Sequence, residues 1–211
     1  MNPDSLTLRF HIGRIPVVVE PWFWLTTLLM ASRMTGVRMV LWVGVVFVSI
    51  LVHELGHAAA ARWFGANAWI SLHGLGGLTR PDRALSRWRD LAMTLAGPFA
   101  GFALGAAVYT LRRHVPMLSH TPNLRWLLHA LVEVNIGWGM FNLLPVPPLD
   151  GGHAALALAG ARRERAVRIG AIVLSVLVVL YAVAQQQMYM GLLVGLMGYR
   201  NYQVLTRQAA A

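Results

Sequence analysis

The 211-residue chain contains no cysteine and no lysine, and only 12% of its residues are charged. The absence of cysteine excludes disulfide bonds and any chemistry that needs a thiol. Soluble domains carry about 25% charged residues. With half that share, and with 57% hydrophobic residues, the chain cannot cover a soluble surface with polar groups. This composition excludes an ordinary soluble globule, a disordered chain and a coiled coil, and it leaves a multi-spanning membrane protein.

Acidic residues are also scarce: 8 stand against 18 basic residues, all of them arginine, which gives a formal net charge of +10. Such an excess is typical of proteins that bind nucleic acid. In a chain rich in apolar segments, it more simply indicates arginines that lie beside anionic lipid on the cytoplasmic side. We therefore expect a lipid bilayer and no nucleic acid as partner, with the N-terminus and most arginines in the cytoplasm.

Apolar segments follow one another along most of the chain, and six of them are candidates for membrane spans. The first and the last are short for a hydrocarbon core about 30 Å thick, whereas the other four are long enough to cross it. Before them, residues 6–19 alternate loosely and carry β-branched residues around a glycine, which predicts a short strand pair. The six segments are residues 22–36, 39–64, 91–111, 126–146, 167–184 and 188–199.

Residues 53–57 read His-Glu-Leu-Gly-His and lie inside the second apolar segment. On a helix, His53 and His57 are one turn apart on the same face, where two imidazoles can hold one Zn²⁺. The adjacent Glu54 can then reach a metal-bound water and accept its proton. The alternative is that neighbouring helices simply satisfy these three side chains. Ionisable groups are costly at membrane depth, and this cost favours a metal site.

A catalytic zinc takes three protein ligands and keeps one open position, and Asp150 is the candidate for the third ligand. It lies in residues 142–153, Asn-Leu-Leu-Pro-Val-Pro-Pro-Leu-Asp-Gly-Gly-His, where three prolines interrupt any helix. Irregular backbone at membrane depth is tolerated where it lines a cavity, and a carboxylate at such a break suits a metal ligand. The alternative is a turn aspartate in a cytoplasmic loop, which the Asp-Gly pair also fits.

Together, the His-Glu-Leu-Gly-His motif in one span and the Asn-x-x-Pro-x-x-x-Leu-Asp-Gly element in a later one resemble the site-2 protease family of intramembrane zinc metalloproteases. The resemblance implies one Zn²⁺ per chain, held by His53, His57 and Asp150, with Glu54 as the catalytic base. It also implies that Asn142 lies near the substrate or the tetrahedral intermediate. The alternative role of Asn142 is to satisfy the backbone of the interrupted helix.

The stretch after the catalytic helix resembles the family as well. Residues 70–77, Ile-Ser-Leu-His-Gly-Leu-Gly-Gly, are similar to the family's strand and Gly-Gly turn, which forms a small sheet with the N-terminal strands at the cytoplasmic membrane face. An exposed strand edge can hold an extended substrate by strand addition, so Gly76 and Gly77 are candidate substrate contacts. The alternative for this hairpin is a lid or a packing element. His73 is expected to be a loop residue and not a fourth ligand.

Two further features are expected to be structural. Gly97, Gly101 and Gly105 recur every four residues, and small residues at that spacing let helices approach closely. His129 and Glu133 lie one turn apart and are expected to pair with each other or to line a water-filled path. The alternative for His129 and Glu133 is a second metal pair.

The predicted fold is an all-α membrane core of about six transmembrane segments with a small β-sheet at the cytoplasmic membrane face. We expect a single protease domain over residues 1–211, with strands in 1–20, a catalytic core in 22–155 and a transmembrane hairpin in 156–211. By the resemblance, this is a minimal site-2 protease without a PDZ or CBS domain.

The predicted function is hydrolysis of peptide bonds within or next to transmembrane segments of membrane-protein substrates, that is, regulated intramembrane proteolysis. The compact architecture favours a prokaryotic inner membrane, with the active site towards the cytoplasm. The alternatives are a non-proteolytic zinc carrier and an inactive scaffold that binds membrane clients. A carrier needs no general base and usually offers ligands along a path, whereas this sequence offers one compact set with Glu54 beside it.

Overall fold

The computed structural model describes most of the chain, namely residues 6–32, 34–115 and 120–210, with only the backbone of 208–210. Parts of three predicted regions lie outside the described residues: 1–5 of the N-terminal strands, Arg33 of the first apolar segment and Ala211 of the C-terminal hairpin. By its internal contacts the chain divides into two compact units, Met1–Met140 and Phe141–Ala211. The organisation as one protease domain stays a prediction.

The first unit contains a four-stranded sheet and helices α1 to α4. Its strands are β1 Leu8–Ile12, β2 Ile15–Val19, β3 Ala68–His73 and β4 Gly76–Pro81. Its helices are α1 Pro21–Met30, α2 Val37–Trp63, α3 Arg87–His114 and α4 Pro122–Asn142, the last of which ends just past the unit boundary. The strands pair in the order β1-β2-β3-β4; β2 and β3 are parallel, and the outer pairs are antiparallel. The small sheet predicted from the sequence is therefore confirmed.

Alternating burial explains why these short segments form strands. Val17 and Val19 on β2, and Ile70 and Leu72 on β3, are at most 1% exposed, and the residues between them are less buried. The buried side chains pack in one cluster with the small Ala58 of α2. Burial of β-branched and leucine side chains against a helix thus holds the sheet beside the second half of α2.

The described residues of the second unit form three helices and one 3₁₀ turn: α5 Asp150–Ala159, the turn Ala161–Arg163, α6 Glu164–Ala184 and α7 Met188–Ala210. Helices α6 and α7 pack along a seam of small residues. A Cβ built on Gly191, Gly195 or Gly198 of α7 would meet side chains of α6 at 2.8 to 3.6 Å. Close backbone approach along such a seam favours helix pairing in lipid.

Three described helices are long and apolar enough to cross a membrane: Val37–Trp63, Arg87–His114 and the stretch Ala161–Ala184. The number of six spans stays a prediction. The largest differences from the predicted boundaries are three: α1 ends at Met30 and not at 36, α4 ends at Asn142 and not at 146, and α7 continues to Ala210 and not to 199. Pro145 disfavours helical backbone before it, whereas the polar residues after 199 include good helix formers that prolong α7.

Candidate metal centre

The two histidines and the glutamate of the His-Glu-Leu-Gly-His motif lie on the buried face of α2. His53, Glu54 and His57 are 5%, 4% and 6% exposed. The helix register brings the two rings together at 84° to each other, with their Nε2 atoms 3.1 Å apart. Two nitrogens that each lie about 2.0–2.1 Å from a tetrahedral Zn²⁺ are roughly 3.3 Å apart. The imidazole pair therefore fits one zinc ion.

Helix α3 orients the second of these imidazoles. The Nδ1 of His57 lies 2.8 Å from the carbonyl oxygen of Met93, to which an Nδ1–H donates. This hydrogen bond leaves Nε2 with the lone pair that a metal needs, and such partners hold a ligating ring in place. Gly97 lies one turn further along α3, where a Cβ would overlap the His57 ring. The predicted packing role of Gly97 is confirmed, and the group packed against it is a candidate metal ligand.

Strand β4 positions the carboxylate of Glu54. The Thr79 hydroxyl donates a hydrogen bond to Glu54 Oε2 at 2.7 Å, and it also lies 3.1 Å from the Glu54 carbonyl oxygen. A Cβ built on Gly77 would overlap the Glu54 side chain. Gly77 therefore lies directly against Glu54, whereas a Cβ on Gly76 would stand 3.7 Å from the Trp138 ring. The role of the two glycines as substrate contacts stays a prediction.

In the second unit, Asp150 is half-buried and is the first residue of α5. The segment before it, residues 143–149, has no regular helix. Asn142 is buried at the end of α4, at 8% exposure, and its predicted role at the substrate stays a prediction. Irregular backbone thus leads directly to the predicted third ligand, as expected from the three prolines.

Among the described residues, His53 and His57 of the first unit and Asp150 of the second are candidate ligands for one metal ion. Two imidazole nitrogens and one carboxylate oxygen are a donor set that suits zinc and leaves a fourth position open.

The remaining predicted residues take structural positions. His73 is the last residue of β3, so the prediction of a loop residue is wrong by one position: its Nδ1 accepts a hydrogen bond from the Leu75 N–H in the turn that follows. His129 and Glu133 pair at 3.0 Å with side chains that are 55% and 65% exposed, so the expected pairing is confirmed.

Two groups at the site are absent from the sequence-based prediction. Thr79 is one of several polar residues after a glycine pair, and its position in the chain has no fixed relation to Glu54. Met93 acts through its backbone carbonyl, so its side chain gives no signal at all. The acceptor beside His57 becomes visible only when α2 and α3 are packed together.

Comparison with known proteins identifies the family. The model for peptidase family M50 matches residues 42–117 and 114–184, which is more than half of the chain. The zinc metalloprotease MJ0392 of Methanocaldococcus jannaschii is 32% identical over 114 residues, 53% of this chain and 32% of that protein. Stage IV sporulation protein FB of Bacillus subtilis is 29% identical over 162 residues, 73% of this chain and 49% of that protein. The matched parts are thus one third to one half of these relatives.

A solved structure shares the fold. The site-2 protease from Methanocaldococcus jannaschii matches with a TM-score of 0.62 and 24% sequence identity, over 93% of this chain and 94% of that one. At this identity the match establishes the fold alone, and it confirms a mostly helical chain with a small sheet. The apolar helices and the family model make the chain a membrane protein. The predicted resemblance is confirmed, and the chain belongs to peptidase family M50.

Proposed function

We propose that the protein is a zinc metalloprotease of the site-2 type, which hydrolyses peptide bonds within or next to transmembrane segments of membrane-protein substrates. One observation carries the proposal: the imidazoles of His53 and His57 meet with their Nε2 atoms 3.1 Å apart, and the buried Glu54 is adjacent to His53. Membership of peptidase family M50 supports the same proposal.

In this proposal His53, His57 and Asp150 hold one Zn²⁺, which when bound supplies Lewis-acid chemistry for peptide hydrolysis. Glu54 is the general base: one of its carboxylate oxygens accepts a proton from the attacking water and later donates it to the leaving amine. Thr79 keeps the carboxylate in one orientation through the hydrogen bond to Oε2. A carboxylate fixed before the reaction does not need to reorient during it.

The substrate side of the proposal rests on the glycines of β4 and on the end of α4. Gly76 and Gly77 would contact an extended substrate beside Glu54, and Asn142 would contact the substrate or the tetrahedral intermediate. Because Gly77 has no side chain, its own backbone lies close to the carboxylate of Glu54. Glycine is typical of positions where the backbone approaches a reacting group closely.

The membrane arrangement in this proposal is a multi-pass protein of a prokaryotic inner membrane, with about six spans, one protease domain and the active site towards the cytoplasm. The three apolar helices support the membrane location, and the arginine excess supports the orientation.

The test is cleavage of a panel of single-span model substrates by the purified protein in detergent, with bound zinc quantified. Wild type is compared with Glu54→Gln and with a matched control, Glu133→Gln, which removes an exposed carboxylate of α4. We expect Glu54→Gln to keep zinc and to lose cleavage by a factor of at least about 10², whereas Glu133→Gln cleaves like wild type.

Two other outcomes contradict the proposal in different ways. If all variants bind zinc and none cleaves any substrate, a zinc carrier becomes the better description. If wild type supplied with zinc binds none, the ligand set itself is wrong.

A further inference from the structure

The non-helical segment 143–149 has few hydrogen-bond donors of its own. Pro145, Pro147 and Pro148 have no N–H. The segment is held internally by two short-range bonds, from the Val146 N–H to the Leu144 carbonyl at 2.7 Å and from the Leu149 N–H to the Val146 carbonyl at 2.9 Å. Buried carbonyls beyond these need donors from elsewhere in the structure.

Helix α7 supplies such a donor. Asn201 is 1% exposed, and its Nδ2 donates to the Pro147 carbonyl oxygen at 2.6 Å and to the Met197 carbonyl oxygen at 2.9 Å. Its Oδ1 accepts a hydrogen bond from Arg168 Nη1 at 3.1 Å. Both amide hydrogens and the amide oxygen are therefore used, so the buried amide carries no unpaired polar group.

Arg168 on α6 determines which way the Asn201 amide faces. A guanidinium has only donors, so it must face the amide oxygen, and the NH₂ group then points at Pro147. Glu164 accepts from Arg168 Nε at 2.8 Å and fixes the guanidinium in turn. We call Glu164, Arg168 and Asn201 the polar bridge; it ties α6 and α7 to the segment before Asp150.

The position of Pro147 is passed on to Asp150 through backbone contacts. Gly151 and Gly152 lie directly on the segment: a Cβ on Gly151 would overlap the Leu143 carbonyl group, and one on Gly152 would overlap Pro147 N. Backbone packed on backbone at this distance cannot shift on one side alone. Movement of Pro147 therefore displaces the first turn of α5, where Asp150 stands.

We infer that Asn201, oriented by Arg168, is a positioning residue that keeps Asp150 in place for metal binding. The inference rests on the proposed function, in which Asp150 is a zinc ligand. Asn201 touches neither metal nor substrate in this role, and it acts through the Pro147 carbonyl. Groups that orient a metal ligand typically contribute a factor of roughly 10 to 100 in metal affinity.

The test uses the full-length protein with two changes at one position. Asn201→Leu removes all polar atoms at similar volume, and Asn201→Asp keeps an acceptor for Arg168 but loses the NH₂ donor to Pro147. Ser175→Ala is the matched control, because Ser175 is 2% exposed and its hydroxyl donates only within α6, to the Ala171 carbonyl oxygen. Asp150→Ala is the reference for loss of the ligand itself.

Three readouts separate positioning from general stability: the zinc Kd against a competing chelator, amide hydrogen exchange of residues 143–153 in metal-free protein, and the thermal unfolding midpoint. We expect both Asn201 variants to bind zinc roughly 10 to 100 times more weakly than wild type. We also expect faster exchange confined to 143–153, and kcat of zinc-loaded protein lowered with KM unchanged. Ser175→Ala lowers only the unfolding midpoint.

The outcomes distinguish failure of this inference from failure of the proposed function. If Asp150→Ala weakens zinc binding and the Asn201 variants do not, Asn201 has no positioning role and the ligand set stands. If Asp150→Ala leaves the zinc Kd unchanged, the ligand set and the positioning role both fail. If Asn201→Leu does not fold, Asn201→Asp, which retains a partner for Arg168, decides the question by the same measurements.

Discussion

The two units bring their proposed zinc ligands into position by different means. In the first unit, His53 and His57 lie on one continuous helix of 27 residues, and the helical register alone places their rings on the same face. In the second, Asp150 opens a helix of 10 residues after the irregular segment 143–149. Its place depends on the backbone of that segment, to which Asn201 of α7 donates a hydrogen bond at Pro147.

This difference changes what the neighbouring elements must do. Around α2, the neighbours orient side chains: Met93 directs the His57 ring and Thr79 directs the Glu54 carboxylate. Around α5, the neighbours fix a backbone, through glycines pressed on the proline segment and through the polar bridge. A side chain can rotate away from a poor contact at moderate cost, whereas backbone packed on backbone has no such freedom.

The largest effect is therefore expected at Gly152 in the second unit. Gly152→Ala drives a Cβ into the backbone at Pro147, and overpacking of this kind lowers the free energy of unfolding by about 3 kcal/mol. Gly170→Ala on α6 is the control, because its Cβ meets nothing within 4 Å and alanine favours helix over glycine by up to about 1 kcal/mol. If the two variants unfold at the same midpoint temperature, the backbone contact between Gly152 and Pro147 does not have the energetic cost expected here.

The same substitution in the first unit is expected to affect the metal more than the fold. Gly97→Ala pushes a Cβ into the His57 ring, and the ring can rotate away at the cost of its ligand geometry. Zinc affinity should fall roughly 10- to 100-fold, measured by chelator competition. Gly44→Ala on α2, where a Cβ meets nothing within 4 Å, should bind zinc like wild type. A wild-type zinc Kd for Gly97→Ala would contradict this picture.

Thr79 tests whether side-chain orientation around α2 matters for turnover and not for metal binding. Thr79→Val keeps the shape and removes the hydroxyl that donates to Glu54, so we expect kcat to fall about tenfold, which equals about 1.4 kcal/mol. Bound zinc should be unchanged, and Thr79→Ser, which keeps the hydroxyl, should restore most of kcat. Loss of zinc from Thr79→Val would show that the strand supports the ligands and not the base.

The smallest effect is expected at the exposed pair on α4. His129→Ala removes the contact with Glu133, whose side chain is 65% exposed. Exposed pairs of this spacing contribute about 0.3 to 0.5 kcal/mol, so thermal unfolding and cleavage should both stay close to wild type. A marked loss of activity in His129→Ala would contradict this expectation and favour the alternative that His129 and Glu133 form a second metal pair.

The sequence predicts the parts of the site that follow from local periodicity. The one-turn spacing of His53 and His57 predicts their shared face, and the prolines before Asp150 predict a break in the helix there. Residues that act from another element carry no such signal. Asn201 is separated from Pro147 by two helices, and the polar residues around it give no reason to single it out. Burial of its amide, with every polar atom paired, becomes visible only once α6 and α7 are packed.

The parallel pairing of β2 with β3 has a consequence for the order of assembly. Val17 lies beside Ile70, and the whole of α1 and α2 separates them along the chain. Parallel neighbours cannot form until such a crossover has been completed, and closing a long loop before its contacts form is slow. The antiparallel hairpins β1–β2 and β3–β4 have no such crossover and can form from local contacts. We therefore expect the β2–β3 hydrogen bonds, which join the two hairpins, to form last within the sheet.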